Sequence, residues 1–263
     1  MSMSIDDWYE KLEKRMPDDW KEILIGSKKR SKMLKEVLSN IIGDIDKLRP
    51  NPKEIFAFTK YISIKNIRAV ILGQDPYPNK HACGIAFSSE ERSEPQSWLP
   101  IKKALQAQKL LGDHNSADLR AWEMQGILLI NTSLTTIEGT PKYHSSYWES
   151  YVNCILSHLV DKLDLRMGSK TVCWLLWGAD AKAKSDIIKS SALGTHKVLT
   201  WCHPSPQVSY NKDKDDPKNF IHCDHFSKVV KITSLEWDMP VNWRAISEDI
   251  ECFTDGSTYP NRK

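Results

Sequence analysis

Four short apolar runs, separated by segments with a helical pattern, dominate the distribution of hydrophobic residues along this chain. Each run is nearly continuous in apolar residues, as is typical of parallel strands that are buried on both faces. Their alternation with helices predicts an α/β domain with a central four-stranded, mainly parallel, twisted sheet flanked by helices. The predicted strands are residues 68–72, 127–130, 171–177 and 198–202. The predicted helices between them are residues 101–111, 147–164 and 181–190.

The region before the first strand has a different, purely helical pattern. Its apolar residues recur at the spacing of an amphipathic helix, among them Trp8, Leu12, Met16 and a stripe within residues 33–42. Pro50 and the proline two residues later end this pattern. A short helix over residues 53–60 is then expected to lead into the first strand.

These patterns divide the chain into three parts. They are a helical extension packed on the main domain (residues 1–49), the main domain itself (50–254) and a frayed tail (255–263). Within the main domain, residues 210–219 are highly charged, and we expect them to form a loop or an insertion.

The composition is that of an ordinary globular protein. Of the 263 residues, 40% are hydrophobic and 27% are charged. The 37 basic and 34 acidic residues give a net charge of +3, which neither requires nor excludes a polyanionic partner. No secretory signal is visible, no apolar run is long enough to span a membrane, and the six cysteines form no C-x-x-C pair. We therefore expect a reduced intracellular protein without disulfides or a zinc site.

Polar side chains follow each of the predicted strands. Asp75 comes after the first strand, Asn131 after the second, Asp180 after the third and His203 after the fourth. The carboxyl ends of parallel strands meet at one edge of a sheet, where the ligands of open α/β proteins bind. We therefore expect one cleft that contains a carboxylate, a carboxamide and an imidazole. Each residue alone is more often a turn or cap residue, and only their joint placement favours a functional site.

Six segments, in order along the chain, carry a resemblance to a known family. They are GQDPY at residues 73–77, GIAFS at 84–88, GILLINTSLT at 126–135, LWG at 176–178, HPSP at 203–206 and CDHFSK at 223–228. With this order and spacing, residues 50–246 resemble the family 1 uracil-DNA glycosylases of bacteria, eukaryotes and large DNA viruses. The resemblance implies a hydrolase that flips uracil out of DNA, cleaves its N-glycosidic bond and leaves an abasic site for base excision repair. It implies no metal and no other cofactor.

The resemblance also implies two catalytic residues. Asp75 would stabilise the sugar cation that forms as the bond lengthens, and it would orient the attacking water. His203 would act from the other side, where a neutral histidine donates a hydrogen bond to uracil O2 as negative charge develops there. No lysine lies in the motif set to act as a Schiff-base nucleophile, so we expect a monofunctional enzyme that does not cut the strand.

Four further residues would bind the base. Asn131 would read the N3–H and O4 edge of uracil, because cytosine presents the reversed pattern and would leave buried groups unpaired. Tyr77 would occupy the place of a 5-methyl group and exclude thymine by bulk. Phe87 would stack on the face of uracil, and Gln74 would contact the base from beneath.

DNA contacts are implied for a third group. Ser97, Ser205 and Ser209 resemble the family's small residues that contact phosphates near the lesion. The family places a leucine wedge after the second proline of HPSP, whereas this chain has Gln207 there, followed by Val208. Either of these two residues could fill the gap that the flipped base leaves.

Two other positions depart from the family pattern. Pro78 stands where the family usually has a histidine, so a polar contact next to the attacking water is missing. Ala179 stands where a serine is common, which removes one phosphate contact.

The implied partner is uracil-containing DNA, single- or double-stranded, bound by a monomer in the nucleus or the cytoplasm. A proteinaceous glycosylase inhibitor or a replication protein are further candidate partners. An alternative hypothesis is a glycosylase-like DNA-binding module that assists a replicative polymerase, with reduced or secondary catalysis. A third, a glycosylase with an iron–sulfur cluster, is disfavoured because the cysteines lack suitable spacing.

Overall fold

A four-stranded parallel sheet forms the centre of the protein. The computed structural model describes residues 3–91, 93–112, 116–165, 170–205, 216–237 and 240–244. The strands are β1 (Leu48–Arg49), β2 (Ala69–Gly73), β3 (Ile127–Asn131), β4 (Thr136–Ile137), β5 (Val172–Trp177) and β6 (His196–Trp201). The main sheet has the order β3–β2–β5–β6, and β1 pairs separately with β4 in an antiparallel ladder.

The predicted α/β class and the four predicted strands are confirmed. Every residue of β2, β3 and β5 is buried, which is why these strands are apolar throughout. β6 lies at the edge of the sheet and is only partly buried. The β2–β3 register pairs Gly73 with Asn131, and the β5–β6 register pairs Trp177 with Trp201. The last residues of all four strands therefore reach the same edge.

Helices cover both faces of this sheet. They are α1 (Ile5–Glu13), α2 (Asp18–Leu24), α3 (Lys28–Ile41), α4 (Trp98–Ala107), α5 (Arg120–Met124), α6 (Ser145–Asp164), α7 (Ala179–Lys182), α8 (Ser185–Lys189) and α9 (His225–Glu236). Short 3-10 turns span Ile42–Lys47, Pro52–Glu54, Ala57–Thr59, Ile64–Asn66 and Phe220–His222.

Two helix predictions are wrong in detail. Residues 53–60 do not form one helix, because two 3-10 turns lie there, separated at Phe56, whose φ of −109° and ψ of 28° are not helical. A segment this short gains too few hydrogen bonds to offset the cost of helix nucleation.

Residues 181–190 form parts of two helices, α7 and α8. The turn between them lets the buried Lys184 bring its ammonium group to 3.5 Å from Glu149 on α6.

Alternate residues of β2 face two different hydrophobic clusters. Val70 and Leu72 pack in a cluster with α1, α2, α3 and α6, whereas Ala69 and Ile71 pack in a second cluster with α4, α5 and α9. This alternation follows from the two-residue repeat of a strand. The protein is thus a helix–sheet–helix sandwich with the sheet as its middle layer.

The N-terminal helices share the first cluster with the sheet. Side-chain oxygens of Ser4 and Ser27 accept hydrogen bonds from the first turns of α1 and α3, as N-caps do. Trp20 of α2 is buried, and its Nε1 donates to the carbonyl of Ile62 at 2.7 Å. The hydroxyl of Tyr151 on α6 donates to the carbonyl of Leu24 at 3.0 Å. These two hydrogen bonds join α2 to the loop before β2 and to α6.

Trp174 and Trp177, both on β5, are buried in the core. Trp201, on the edge strand β6, is half-buried and packs against the second cluster. None of the helices in the described ranges has the length and apolar character that crossing a membrane requires.

Glu123 on α5 is a buried acid, and it yields a prediction about stability. Burial raises its pKa well above the usual value, and the weaker influence of a main-chain hydrogen bond with Leu129 only partly opposes that rise. The folded protein therefore keeps a proton on Glu123 at pH values where the unfolded chain has lost it. Stability must fall as pH rises from the usual glutamate pKa of about 4.3 towards the raised value.

Glu123→Gln removes this titration. We measure the free energy of unfolding of both proteins by urea denaturation at a series of pH values. The difference, variant minus wild type, should increase as pH rises. The gain should be about 1.4 kcal/mol for each pH unit within that window. Identical pH dependences in the two proteins would contradict the prediction.

Candidate active site

The loops that follow β2, β4, β5 and β6 surround one cavity at the C-terminal edge of the sheet. Its volume is about 1010 Å³. Two main-chain hydrogen bonds continue the β2–β3 pairing beyond the strands, from Thr132 N–H to the carbonyl of Gly73 and from Ser133 N–H to the carbonyl of Gln74, both at 3.0 Å. The hydroxyl of Thr132 also donates to the carbonyl of Gln74, at 2.7 Å. These bonds hold the first cavity loop against the end of β3.

The Asp75 carboxylate is held at both oxygens. Gln74 Nε2 donates to Oδ1 at 2.8 Å, and the main-chain N–H of Lys142 donates to Oδ2 at 2.5 Å. Burial raises the pKa of Asp75 above its usual value, and the hydrogen bonds from Lys142 and Gln74 oppose that rise. The site therefore contains a partly desolvated carboxylate that two donors keep in a fixed orientation.

His203 lies on another wall of the cavity, directly after β6. Its ring centroid is 5.7 Å from that of Phe87. Gly178, with a φ of +94°, lies against it, and a Cβ at that position would come within 3.1 Å of His203 Cβ. Burial lowers the pKa of His203 to about 4, and the negative charge of Asp180 opposes the shift. The imidazole is thus uncharged at neutral pH.

Asn131 and Phe87 meet at the floor of the cavity. Gly73 is opposite Asn131 in the sheet, and a Cβ on Gly73 would collide with Asn131 Oδ1 and approach Phe87 Cε2 to 3.1 Å. Phe87 has a φ of +62°, which is rare outside glycine, and its ring centroid lies 5.3 Å from that of Trp177. The absence of a side chain at residue 73 therefore makes room for both the amide and the ring.

Tyr77 is fixed by three neighbours. Its hydroxyl donates to the carbonyl of Phe87 at 3.2 Å and shares a hydrogen bond of 2.5 Å with the hydroxyl of Ser97. The ring of His81 packs edge-on against it, with the centroids 5.9 Å apart. Burial raises the pKa of the Tyr77 phenol. The ring therefore stays neutral and has little freedom to move.

The structure brings most of the predicted site residues into this one cavity. Those that line it are Gln74, Asp75, Tyr77, Phe87, Ser97, Asn131, His203 and Ser205. The remaining predicted DNA contacts, Gln207, Val208 and Ser209, lie outside the described residues, as do most of the charged segment and the tail. The roles assigned to all of these residues stay predictions at this point.

Lys142 and His81 are among the lining residues that the sequence reasoning missed. Lys142 binds Asp75 through its main chain and Asp180 through its side chain, and His81 packs on Tyr77. The only signal for Lys142 was its position in a Gly-Thr-Pro turn shortly after the Asn131 segment. Its N–H supplies Asp75 with a polar contact in a chain that has Pro78 where the family usually has histidine.

Within the described ranges, no group of three or more His, Cys, Asp or Glu side chains is placed to hold a metal ion. Five cysteines fall in these ranges, and all are free thiols. No metal-binding residues can therefore be assigned in this part of the chain.

The fold and the cavity define an α/β protein with a site at the carboxyl edge of a parallel sheet, lined by both an anchored carboxylate and an uncharged imidazole. The model of the uracil DNA glycosylase superfamily matches residues 59–230 of this chain. The chain belongs to this superfamily, as its motifs predicted.

Relatives from viruses and bacteria support the assignment. The chain is 34% identical to the uracil-DNA glycosylase of Saimiriine herpesvirus 2, over 86% of this chain and 88% of the relative. It is 32% identical to the uracil-DNA glycosylase of Borrelia turicatae, over 84% of this chain and 94% of the relative.

A solved structure shares the fold. The crystal structure of mimivirus uracil-DNA glycosylase superposes with a TM-score of 0.75 at 23% identity, covering 93% of this chain and 90% of that one. A mimivirus UNG variant in complex with UGI gives a TM-score of 0.76 at 23% identity, covering 93% and 92%.

The low pKa of His203 can be measured directly. We expect its imidazole resonances to titrate with a midpoint near pH 4 in a two-dimensional NMR series, because burial disfavours the charged ring. The pKa of His225 is also lowered to about 4 by burial, so the spectrum of His203→Gln is needed to assign the signals. A midpoint above about 6, as in a solvent-exposed histidine, would contradict this prediction.

Proposed function

We propose that this protein is a uracil-DNA glycosylase that hydrolyses the N-glycosidic bond of deoxyuridine in DNA and leaves an abasic site. The observation that carries the proposal is the convergence of Asp75, Asn131 and His203 on one cavity, in a chain that belongs to this superfamily. The relatives that cover most of the chain are named for the same activity.

The two catalytic roles follow from charge. As the bond to uracil lengthens, the sugar becomes cationic and the base becomes anionic. Asp75, held by Gln74 and Lys142, offers a carboxylate that stabilises the cation and orients the water that attacks C1′. His203 offers a neutral N–H donor to O2 of the leaving uracil. The uncharged state of its ring at neutral pH supports this role.

Base recognition uses the floor of the cavity. Asn131 carries an amide that can accept from N3–H and donate to O4 of uracil, so cytosine would leave buried groups unpaired. Phe87 offers a ring for stacking and Gln74 closes the site beneath the base. The three contacts of Tyr77 support its role as a rigid barrier to the methyl group of thymine.

DNA binding would extend from the mouth of the cavity. We assign phosphate contacts to Ser97, Ser205 and Ser209, and the wedge that replaces the flipped base to Gln207 or Val208. The hydroxyl of Ser97 is engaged by Tyr77 in the absence of DNA. In this proposal residues 50–254 form the glycosylase domain and residues 1–49 extend it.

We also propose that the protein acts as an intracellular monomer, in the nucleus or the cytoplasm. The mimivirus complex with UGI supports a proteinaceous inhibitor as a second partner.

The first test is single-turnover excision of uracil from labelled single- and double-stranded DNA, followed by alkaline cleavage of abasic sites. We expect Asp75→Asn to lower the rate by about 10²–10⁴-fold and His203→Leu to lower it by about 10²–10³-fold. DNA binding should change far less, because both groups act mainly in the transition state. Near-wild-type rates in both variants, with folding verified by circular dichroism, would refute the assignment.

A second test concerns the methyl barrier. Tyr77→Ala should admit thymine and raise the ratio of thymine to uracil excision by at least about tenfold, since the space of the ring is vacated. Tyr77→Phe is the matched control, because it keeps the ring and loses only the hydroxyl contacts. It should exclude thymine better than Tyr77→Ala, because the ring remains, but less strictly than the wild type, because the hydroxyl contacts to Phe87 and Ser97 are lost. If Tyr77→Ala still excises uracil but shows no detectable thymine excision, the proposed steric role of Tyr77 is wrong.

A further inference from the structure

Lys142 connects two walls of the cavity. It lies in the loop between β4 and α6, where its main-chain N–H donates to Asp75 Oδ2 at 2.5 Å. Its ammonium group reaches Asp180 Oδ2 on α7 at 2.6 Å. One residue thus binds the carboxylate after β2 through its main chain and the helix after β5 through its side chain.

The backbone of Lys142 is held in an uncommon conformation. Its φ is 63°, in the left-handed region that residues other than glycine and asparagine seldom adopt. Such a conformation persists where surrounding contacts determine it. Gly139 N–H donates to the carbonyl of Pro78 at 2.8 Å, and Tyr143 N–H donates to the hydroxyl of Thr136 at 3.3 Å. These bonds fix the loop on both sides of Lys142 and aim its N–H at Asp75.

The side chain of Lys142 also acts on the catalytic groups, through its positive charge. The charges of Lys142 and Asp180 influence the pKa of Asp75 and also that of His203. The positive charge of Lys142 lowers the pKa of both Asp75 and His203, whereas the negative charge of Asp180 raises both. Lys182, on the helix that carries Asp180, also lines the cavity. Lys142 and Asp180 therefore shift the pKa values of the same two catalytic groups in opposite directions.

We propose that Lys142 is a positioning residue for the hydrolysis. Its main-chain N–H fixes Oδ2 of Asp75, and its ammonium group, held in place by Asp180, offsets the partly desolvated negative charge of that carboxylate. This inference rests on the proposed function, since it assigns to Lys142 a task in the same reaction. The residue supplies a polar contact to Asp75 from a different loop, in a chain that has Pro78 next to the site.

The test compares the pH dependence of single-turnover uracil excision in wild type, Lys142→Met and Asp180→Asn. Activity requires ionised Asp75, so the rate falls on the acid side as that group gains a proton. Lys142→Met should move the acid limb to higher pH, and Asp180→Asn should move it to lower pH. We expect the rate at about pH 5, relative to the plateau, to fall about two- to fivefold in the first variant and to rise by a similar factor in the second.

The opposite directions distinguish the proposal from a merely structural role. Both substitutions break the same ion pair, so a structural role would shift both variants in the same direction. Lys142→Arg should restore the wild-type profile because it retains the charge. Lys182→Met is the matched control, since it removes a lysine from the same cavity and should leave the acid limb unchanged.

Two results would overturn the inference. One is an acid limb that moves in the same direction, or not at all, in Lys142→Met and Asp180→Asn. The other is weaker binding of Lys142→Met to DNA containing 2′-fluoro-deoxyuridine, which resists cleavage, with an unmoved acid limb, because that would make Lys142 a phosphate contact. A wild-type protein without excision activity would instead contradict the proposed function, before any Lys142 variant is compared.

Discussion

The site depends on the main-chain pairing of β2 with β3 and on its continuation beyond the strands. The register places Gly73 opposite Asn131, and the hydrogen bonds of Thr132 and Ser133 then carry the pairing into the loop that begins at Gln74. A shift of one residue would turn every side chain of a strand to the other face. It would also separate the amide from the carboxylate loop. The apolar strands that form the core therefore also determine the distance between the base reader and the acid.

Burial imposes a second constraint, because it acts on both catalytic groups in the same sense. It disfavours charge, so it raises the pKa of Asp75 and lowers that of His203. The lowered pKa of the histidine suits its proposed role, which requires a neutral ring. The raised pKa of the acid opposes its proposed role, which requires an anion. The contacts to Asp75 resolve the conflict, because donors from Gln74 and Lys142 favour the charged form of the acid alone.

The sequence could predict those parts of the molecule whose chemistry is local. Continuous apolar runs predicted the strands, and polar residues at the strand ends predicted that Asp75, Asn131 and His203 would meet. Lys142 could not be found in this way, because its contact with Asp75 comes from a main-chain N–H aimed by a positive φ. No side-chain pattern encodes that geometry. The short turns at residues 52–59 were missed for a related reason, since helix and 3-10 geometry differ by hydrogen bonding that the apolar spacing of so short a segment does not distinguish.

Tyr77 illustrates why bulk alone does not make a selective site. A methyl group in an apolar pocket changes binding by only about 1–3 kcal/mol, so a ring that could swing aside would discriminate poorly. Here the hydroxyl is tied to Phe87 and Ser97, and His81 packs on the ring. The same Phe87 that is proposed to stack on the base thus helps to hold the barrier beside it. Stacking and exclusion are therefore coupled, and a displacement of Phe87 would loosen both the grip on uracil and the rejection of thymine.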